Sequence, residues 1–130
     1  MFDKKLADEW NPLLQDLYEK LKYFYKYDEL NILALMFARM KPQTRIPLHQ
    51  DRGPRFSQSH RIHVPIKTQK GVHFFLGGDD LFLQEGVIYE INNLLMHGVY
   101  NASNEARVHL IMDVLHKNSS LSVHDIPRER

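Results

Sequence analysis

From about residue 31 onward, the sequence divides into short apolar segments separated by glycine and asparagine at intervals of about ten residues. This spacing is typical of short antiparallel strands joined by turns. It predicts a mainly β protein, built as a sandwich or barrel. The predicted strands are residues 31–40, a segment that carries His49 and Asp51, and residues 60–67, 72–76, 81–83, 87–91, 96–100 and 107–115.

The first 25 residues instead have helical periodicity, and we expect helices that pack outside the β core. Asn11-Pro12 resembles an N-cap followed by proline at the first helical position, so a break or restart is expected there. We expect residues 1–116 to form one domain, with residues 1–27 helical, residues 31–116 forming the barrel and residues 117–130 a polar tail. The apolar stripe consists of Leu6, Trp10, Leu13, Leu14, Leu17, Leu21 and Phe24.

Composition limits the function classes. The 130 residues include no cysteine, which excludes disulfides, thiolate zinc sites and cysteine nucleophiles. The formal charge of +1 gives no electrostatic sign of a nucleic-acid or membrane partner. No segment has the pattern of a signal peptide or the about 18 apolar residues of a membrane span, so we expect a soluble, cytoplasmic protein. Eight histidines are the one compositional sign of metal or proton chemistry.

Two predicted strands carry arginine and histidine in the same phase. In residues 61–66, Arg61 and His63 alternate with apolar residues, and in residues 107–112, Arg107 and His109 do so. The polar faces would line either solvent, which is the commoner arrangement, or a polar cavity. In a barrel interior, two guanidiniums would suit a small dicarboxylate, because arginine binds carboxylate with two parallel hydrogen bonds.

A second pattern indicates a metal site. His49 and Asp51 are two residues apart, so in a strand both side chains project from one face. Together with a distant histidine, for which His97 is the candidate, they would form the two-histidine, one-carboxylate triad that holds non-heme Fe(II). A His-x-Asp pair is common by chance, and without the rest of the pattern a strand-edge histidine beside a solvated aspartate would explain it.

Taken in order, these motifs resemble the Fe(II)/2-oxoglutarate-dependent oxygenases, and among them the aspartyl/asparaginyl β-hydroxylase family. The resemblance covers roughly residues 31 to 115. It is carried by Ile46-Pro47-Leu48-His49-Gln50-Asp51, Arg61-Ile62-His63-Val64-Pro65-Ile66, residues 85–92, and His97-Gly98-Val99-Tyr100-Asn101 continuing to residues 107–114.

The resemblance implies a double-stranded β-helix, a jelly-roll of the cupin type, with His49, Asp51 and His97 on iron. It also implies that Arg107 pairs with the distal carboxylate of 2-oxoglutarate, and that Arg61 and His63 hold the end of this cosubstrate near the metal. The implied activity is a dioxygenase that uses O2 to hydroxylate an amino acid, free or in a peptide. His109 departs from the family pattern, where a branched apolar residue is more usual.

Two alternatives remain open from the sequence. The first is a cupin-like metal protein that uses the same ligands for hydrolysis or isomerisation, and it has no need of an arginine in the interior. The second is a barrel that binds a small acid without turnover.

Asp113 could orient a neighbouring arginine or histidine, although a solvated acid at a strand end is the commoner case. Asn101 is interpreted as a turn former.

Overall fold

The computed structural model describes the backbone of residues 4–116 and the side chains of residues 11–116. It contains two compact units: residues 4–31 with His116, and Ile32–Leu115. The predicted polar tail, residues 117–130, lies outside the described residues. Within the described part, no helix is long and apolar enough to span a membrane.

The helical unit consists mainly of α1, Lys4–Tyr25. The predicted break at Asn11-Pro12 is wrong, because α1 continues through Pro12 as a single helix. Proline removes one backbone hydrogen bond, but the continuous helix keeps Leu17 and Leu21 in phase on its buried side. Leu13 and Phe24, which the stripe also includes, are exposed.

The rest of the chain is mainly β, as predicted. The strands are β1 Leu30–Met40, β2 Thr44–His49, β3 His60–Lys67, β4 Val72–Leu76, β5 Asp79–Leu81, β6 Tyr89–Glu90, β7 His97–Asn101 and β8 Arg107–His116. They form two four-stranded sheets, in the orders β1-β8-β3-β6 and β2-β7-β4-β5. In the first sheet β3 pairs antiparallel with β6 and β8, and in the second β7 pairs antiparallel with β2 and β4.

Most predicted strands occur within one or two residues of their expected bounds, and the differences lie in loops. The segment around Phe56, between the predicted strands that contain His49 and residues 60–67, contains the short helix α2, Pro54–Gln58. Proline is favoured in the first turn of a helix, where its missing N–H costs nothing, and burial of Phe56 fixes the turn against the core. β5 begins two residues earlier than predicted, and β6 has only two residues.

The strands β3 and β8 pair with the two arginine–histidine faces in register. Arg61 lies opposite Asp113, and Pro65 lies opposite His109. The apolar residues Ile62 and Met112 are each 1% exposed, and on the opposite face Arg107 and His109 are each 2% exposed, so both faces of this strand pair are buried. The polar face is therefore inside the β unit, and the ordinary solvated sheet face is excluded for these two strands.

Close packing between β2 and β7 depends on Gly98. A Cβ atom at this position would lie 2.7 Å from the carbonyl oxygen of Ile46 and 3.2 Å from the carbonyl carbon of Pro47. Backbone atoms cannot move aside as a flexible side chain can. The absence of a side chain at Gly98 thus allows β2 to approach β7 next to His97, the first residue of that strand.

We predict that Gly98→Ala lowers the free energy of unfolding by about 1–3 kcal/mol, the usual cost of overpacking a closed site. Urea denaturation followed by circular dichroism measures it. Gly86→Asn is the control, because Gly86 has a φ of 76° and open space around it, and asparagine tolerates that conformation. An unchanged unfolding midpoint in Gly98→Ala would contradict the packing argument.

Candidate metal centre

Three side chains converge where β2 and β7 lie side by side. His49 is the last residue of β2, His97 is the first residue of β7, and the two are register partners. Asp51 follows two residues after His49. Its carboxylate is almost completely buried, whereas the His49 side chain is 38% exposed and therefore faces the opening of the site.

The distances suit a single ion. One ligand atom from each side chain lies within 4.8 Å of the other two. His49 Nε2 is 3.8 Å from Asp51 Oδ1, and His97 Nε2 is 3.4 Å from Asp51 Oδ2. Adjacent ligands on an octahedral ion with bonds of about 2.1 Å are roughly 3 Å apart. Small side-chain rotations are enough to close this difference.

The protonation of both imidazoles also fits a metal. His49 Nδ1 donates to the carbonyl oxygen of Pro47 at 2.7 Å, and His97 Nδ1 donates to that of Leu95 at 2.8 Å. Because a carbonyl only accepts, each Nδ1 carries a hydrogen, and in the neutral form of either ring Nε2 therefore has the lone pair that a metal requires. Fixing the tautomer and orientation of a ligand histidine through its second nitrogen is a common feature of metal sites.

Asp51 reaches the site by a different route from the one predicted. β2 ends at His49, so Asp51 does not share a strand with it. Instead, the Asp51 backbone N–H donates to the carbonyl oxygen of Asn93 at 3.0 Å, and Asn93 Nδ2 donates to Asp51 Oδ2 at 3.1 Å. The segment around Asn93 thus places the carboxylate beside the two imidazoles.

A buried ionic network supports Asp51 from β3 and β8. Arg61 donates from Nε and Nη2 to the two carboxylate oxygens of Asp113, at 2.8 and 2.9 Å, and its Nη1 lies 3.5 Å from Asp51 Oδ2. Arg55 Nη2 donates to the same Asp113 at 2.9 Å. The interpretation of Asp113 as a solvated acid is therefore wrong, since it is 1% exposed. Burial opposes ionisation, but hydrogen bonds and charge from Arg61 and Arg55 hold the pKa of the Asp113 carboxyl below its usual value.

Arg107 has a very different environment from Arg61. It is 2% exposed, and within the described residues its Nη2 donates one hydrogen bond, to the carbonyl oxygen of Ala38 at 3.5 Å. Nε has no partner in the described structure, and no carboxylate of residues 11–116 pairs with the guanidinium. Burial lowers the pKa of Arg107 to about 10, so the group remains charged at neutral pH. A buried cation of this kind, unpaired with any carboxylate of residues 11–116, favours the binding of an anion.

His63 and His109 lie between these two arginines along the same interior face. Their Nδ1 atoms are 3.0 Å apart, and both rings contact Phe74 of β4, with ring centroids 5.6 and 6.5 Å away. Burial, with the positive charges of Arg61 and Arg107, lowers the pKa of His63 to about 3. Burial and Arg107 lower that of His109 to about 2.

The structure thus brings all six predicted site residues into or beside one interior. His49, Asp51 and His97 meet; Arg61 contacts Asp51; His63 and Arg107 lie deeper. The contacts of Asn93 with Asp51 and of Arg55 with Asp113 were not predicted, because no local sequence pattern indicates them. Asp113 carried a usable signal, because it continues the alternation of Arg107 and His109 along β8.

The other described histidines outside the interior, and the buried Asn101, have partners that do not belong to the triad. His60 contacts Glu90, His73 pairs with Asp80 at 2.9 Å, and His116 pairs with Asp28 at 2.8 Å. His124 lies outside the described residues. Asn101 is more than a turn former: it is fully buried, and its Nδ2 donates to the carbonyl oxygen of Glu105 at 2.8 Å.

Solved structures share this fold at low sequence identity. A salicylate 1,2-dioxygenase from Pseudaminobacter salicylatoxidans matches with a TM-score of 0.51 and 14% identity over 61% of this chain, which corresponds to 21% of the dioxygenase chain. A predicted oxalate decarboxylase from Thermotoga maritima matches with a TM-score of 0.50 and 17% identity, covering 62% of this chain and 64% of its own. These similarities confirm the cupin-like jelly-roll.

Sequence comparison gives the family. No curated protein matches the chain significantly. The family model described as aspartyl/asparaginyl beta-hydroxylase matches residues 9–117, which includes the triad, the ionic network and the buried arginine. The chain belongs to the aspartyl/asparaginyl beta-hydroxylase family.

Proposed function

We propose that this protein is an Fe(II)- and 2-oxoglutarate-dependent dioxygenase that hydroxylates an amino acid, either free or within a peptide or protein. The observation that carries the proposal is the combination of two features in one interior. A triad of two histidines and a carboxylate lies at its opening, and the buried Arg107 lies deeper, unpaired with any carboxylate of the described side chains. Family membership supports the same reaction class.

His49, Asp51 and His97 would hold the metal, and they leave further coordination positions open. This donor set is the one that non-heme Fe(II) oxygenases use. Iron bound there would supply the redox chemistry by which one O2 and one 2-oxoglutarate yield succinate, CO2 and a hydroxylated substrate. The protein's own part is to position the ligands and to neutralise buried charge.

Arg107 would receive the carboxylate of 2-oxoglutarate that lies farther from the metal. The guanidinium has free N–H donors, and a carboxylate can accept two of them at once. Burial makes this pairing strong, because solvent does not compete for either group. The same interior would reject neutral compounds, which leave the cation uncompensated.

Arg61 and His63 would act at the end of the cosubstrate near the metal. Nε and Nη2 of Arg61 are engaged by Asp113, so only Nη1 is directed to the metal ligand Asp51. Arg61 therefore offers positive charge near the metal site, but it has no free pair of N–H groups with which to bind a carboxylate through two parallel hydrogen bonds. His63 is buried and neutral, and its Nε2 is not used in its contact with His109.

We further propose that residues 1–116 act as a single oxygenase domain.

We predict that Fe(II) and 2-oxoglutarate together, without oxygen, produce a visible metal-to-ligand charge-transfer band, because the cosubstrate chelates the triad-bound iron. Anaerobic absorption titration measures the band, and admission of air should then release succinate. His97→Ala should abolish the band, since it removes one of three ligands. If neither band nor succinate appears in the wild-type protein, the cupin-like hydrolase or isomerase becomes the better interpretation.

We also predict that Arg107→Met weakens 2-oxoglutarate binding by about a hundredfold, the scale of losing one partner of a buried charge pair. Fe(II) affinity should change little, since Arg107 contacts none of the ligands. Methionine keeps much of the buried volume. Calorimetric titrations with each ligand separate the two effects.

Arg45→Met provides the matched control, because Arg45 lies over the ring of Tyr100, with its Cζ 4.0 Å from the ring centroid, and is exposed. It should bind both ligands as the wild-type protein does. Equal loss of metal and 2-oxoglutarate binding in Arg107→Met would mean that Arg107 only supports the fold.

A further inference from the structure

His109 has no role in the proposed reaction, yet it occupies the centre of the interior. It is 2% exposed, and its Nδ1 lies 3.0 Å from Nδ1 of His63. The two residues belong to different strands, β8 and β3, so this contact depends on the tertiary fold. A branched apolar side chain would fill the same space without making it.

A short contact between two neutral imidazole nitrogens needs one hydrogen between them. Both rings remain neutral at physiological pH, because burial and the neighbouring arginines keep the charged forms unfavourable. One Nδ1 must therefore donate and the other must accept. Each neutral imidazole carries a single N–H, so this contact decides which atoms of both rings are protonated.

The two directions of this hydrogen bond have opposite consequences at His63 Nε2. If His63 donates, its Nε2 is a bare lone pair. If His109 donates, the proton of His63 sits on Nε2, which then becomes a hydrogen-bond donor. The nearby positive groups Arg61 and Arg107 select an anion in this interior. A carboxylate oxygen is attracted by an N–H and repelled by a lone pair, so only the second direction suits an anionic ligand.

We propose that His109 is a positioning residue that donates its Nδ1–H to His63 Nδ1 and so fixes His63 as an Nε2–H donor for a carboxylate. This inference rests on the proposed function, since 2-oxoglutarate is the carboxylate in question. His109 does not touch the ligand in this arrangement. It removes the tautomeric freedom of His63, so the donor is already formed when the anion arrives.

The direction of the hydrogen bond can be measured without any cosubstrate. Ring nitrogen chemical shifts of protein labelled with 15N-histidine distinguish the two neutral tautomers, and His63→Gln identifies the resonances of His63. We expect His63 to be protonated on Nε2 in the ligand-free wild-type protein. Protonation on Nδ1 would overturn the proposal.

Two substitutions at His109 separate hydrogen bonding from packing. Asparagine places an amide N–H close to the position of Nδ1, whereas leucine fills the space without a donor. We expect His109→Leu to raise the dissociation constant of 2-oxoglutarate about tenfold under anaerobic conditions, the scale of one hydrogen bond to a charged group. His109→Asn should recover most of the wild-type affinity and keep His63 protonated on Nε2.

The turnover number at saturating 2-oxoglutarate should change little in both variants, and Fe(II) affinity should be unchanged. Thermal denaturation compares their folding, and His73→Asn controls for loss of a histidine that pairs with Asp80 outside the interior. Equal binding defects in the leucine and asparagine variants, or wild-type binding in both, would overturn the positioning role. A wild-type protein that binds no 2-oxoglutarate overturns the proposed function, while the tautomer of His63 still decides the direction of the hydrogen bond.

Discussion

The candidate metal centre depends on the burial of the Asp51 carboxylate beside a positively charged group. An isolated carboxylate at 1–2% exposure would be too costly to ionise, and it would then be a poor metal ligand. Arg61 supplies the compensating charge, and Asp113 in turn holds Arg61 with two hydrogen bonds. Arg55 balances Asp113, so the network joins the end of β2 to β3, β8 and α2. Each group is acceptable in the interior only because the next one is present, and removing any one leaves an uncompensated buried charge.

The two buried arginines of this interior show why a residue type alone does not define a role. Arg61 and Arg107 have the same position in two matching sequence patterns, Arg-x-His. The paired carboxylate of Asp113 engages Arg61, because the register of β3 and β8 sets these residues opposite each other. Arg107 lies at the other end of β8, where no acidic side chain among residues 11–116 forms an ion pair with it. One guanidinium therefore belongs to the structure of the site, and the other is available to a ligand.

Much of this could be predicted from the sequence, and the missing parts have a common physical cause. Strand alternation in residues 61–66 and 107–112 correctly separated the arginine–histidine face from the apolar face, since a period of two is a local property. It left open whether the polar face lines solvent or a cavity, and that depends on how the sheets pack. The convergence of His49, Asp51 and His97 was also predicted, although Asp51 lies beyond the end of β2. Its placement depends on Asn93, a contact across 42 residues. The continuity of α1 through Pro12 was likewise not given by the local pattern, which favoured a break. The burial of Asp113, in contrast, agrees with the alternation of Arg107 and His109 along β8.

Under the proposed function, the charges of the interior couple its two ligands. In the described part of the interior, the guanidiniums of Arg55 and Arg61 pair with the carboxylates of Asp51 and Asp113, and the guanidinium of Arg107 adds a third positive charge. A divalent ion bound alone adds to this positive excess, and a dicarboxylate bound alone removes it near Arg107 but has no metal to chelate. Bound together, ion and dicarboxylate leave the net charge of the interior unchanged. Each ligand therefore lowers the electrostatic cost of binding the other. The neutral His63–His109 pair adds no charge to the interior, and its part is to supply an oriented hydrogen-bond donor.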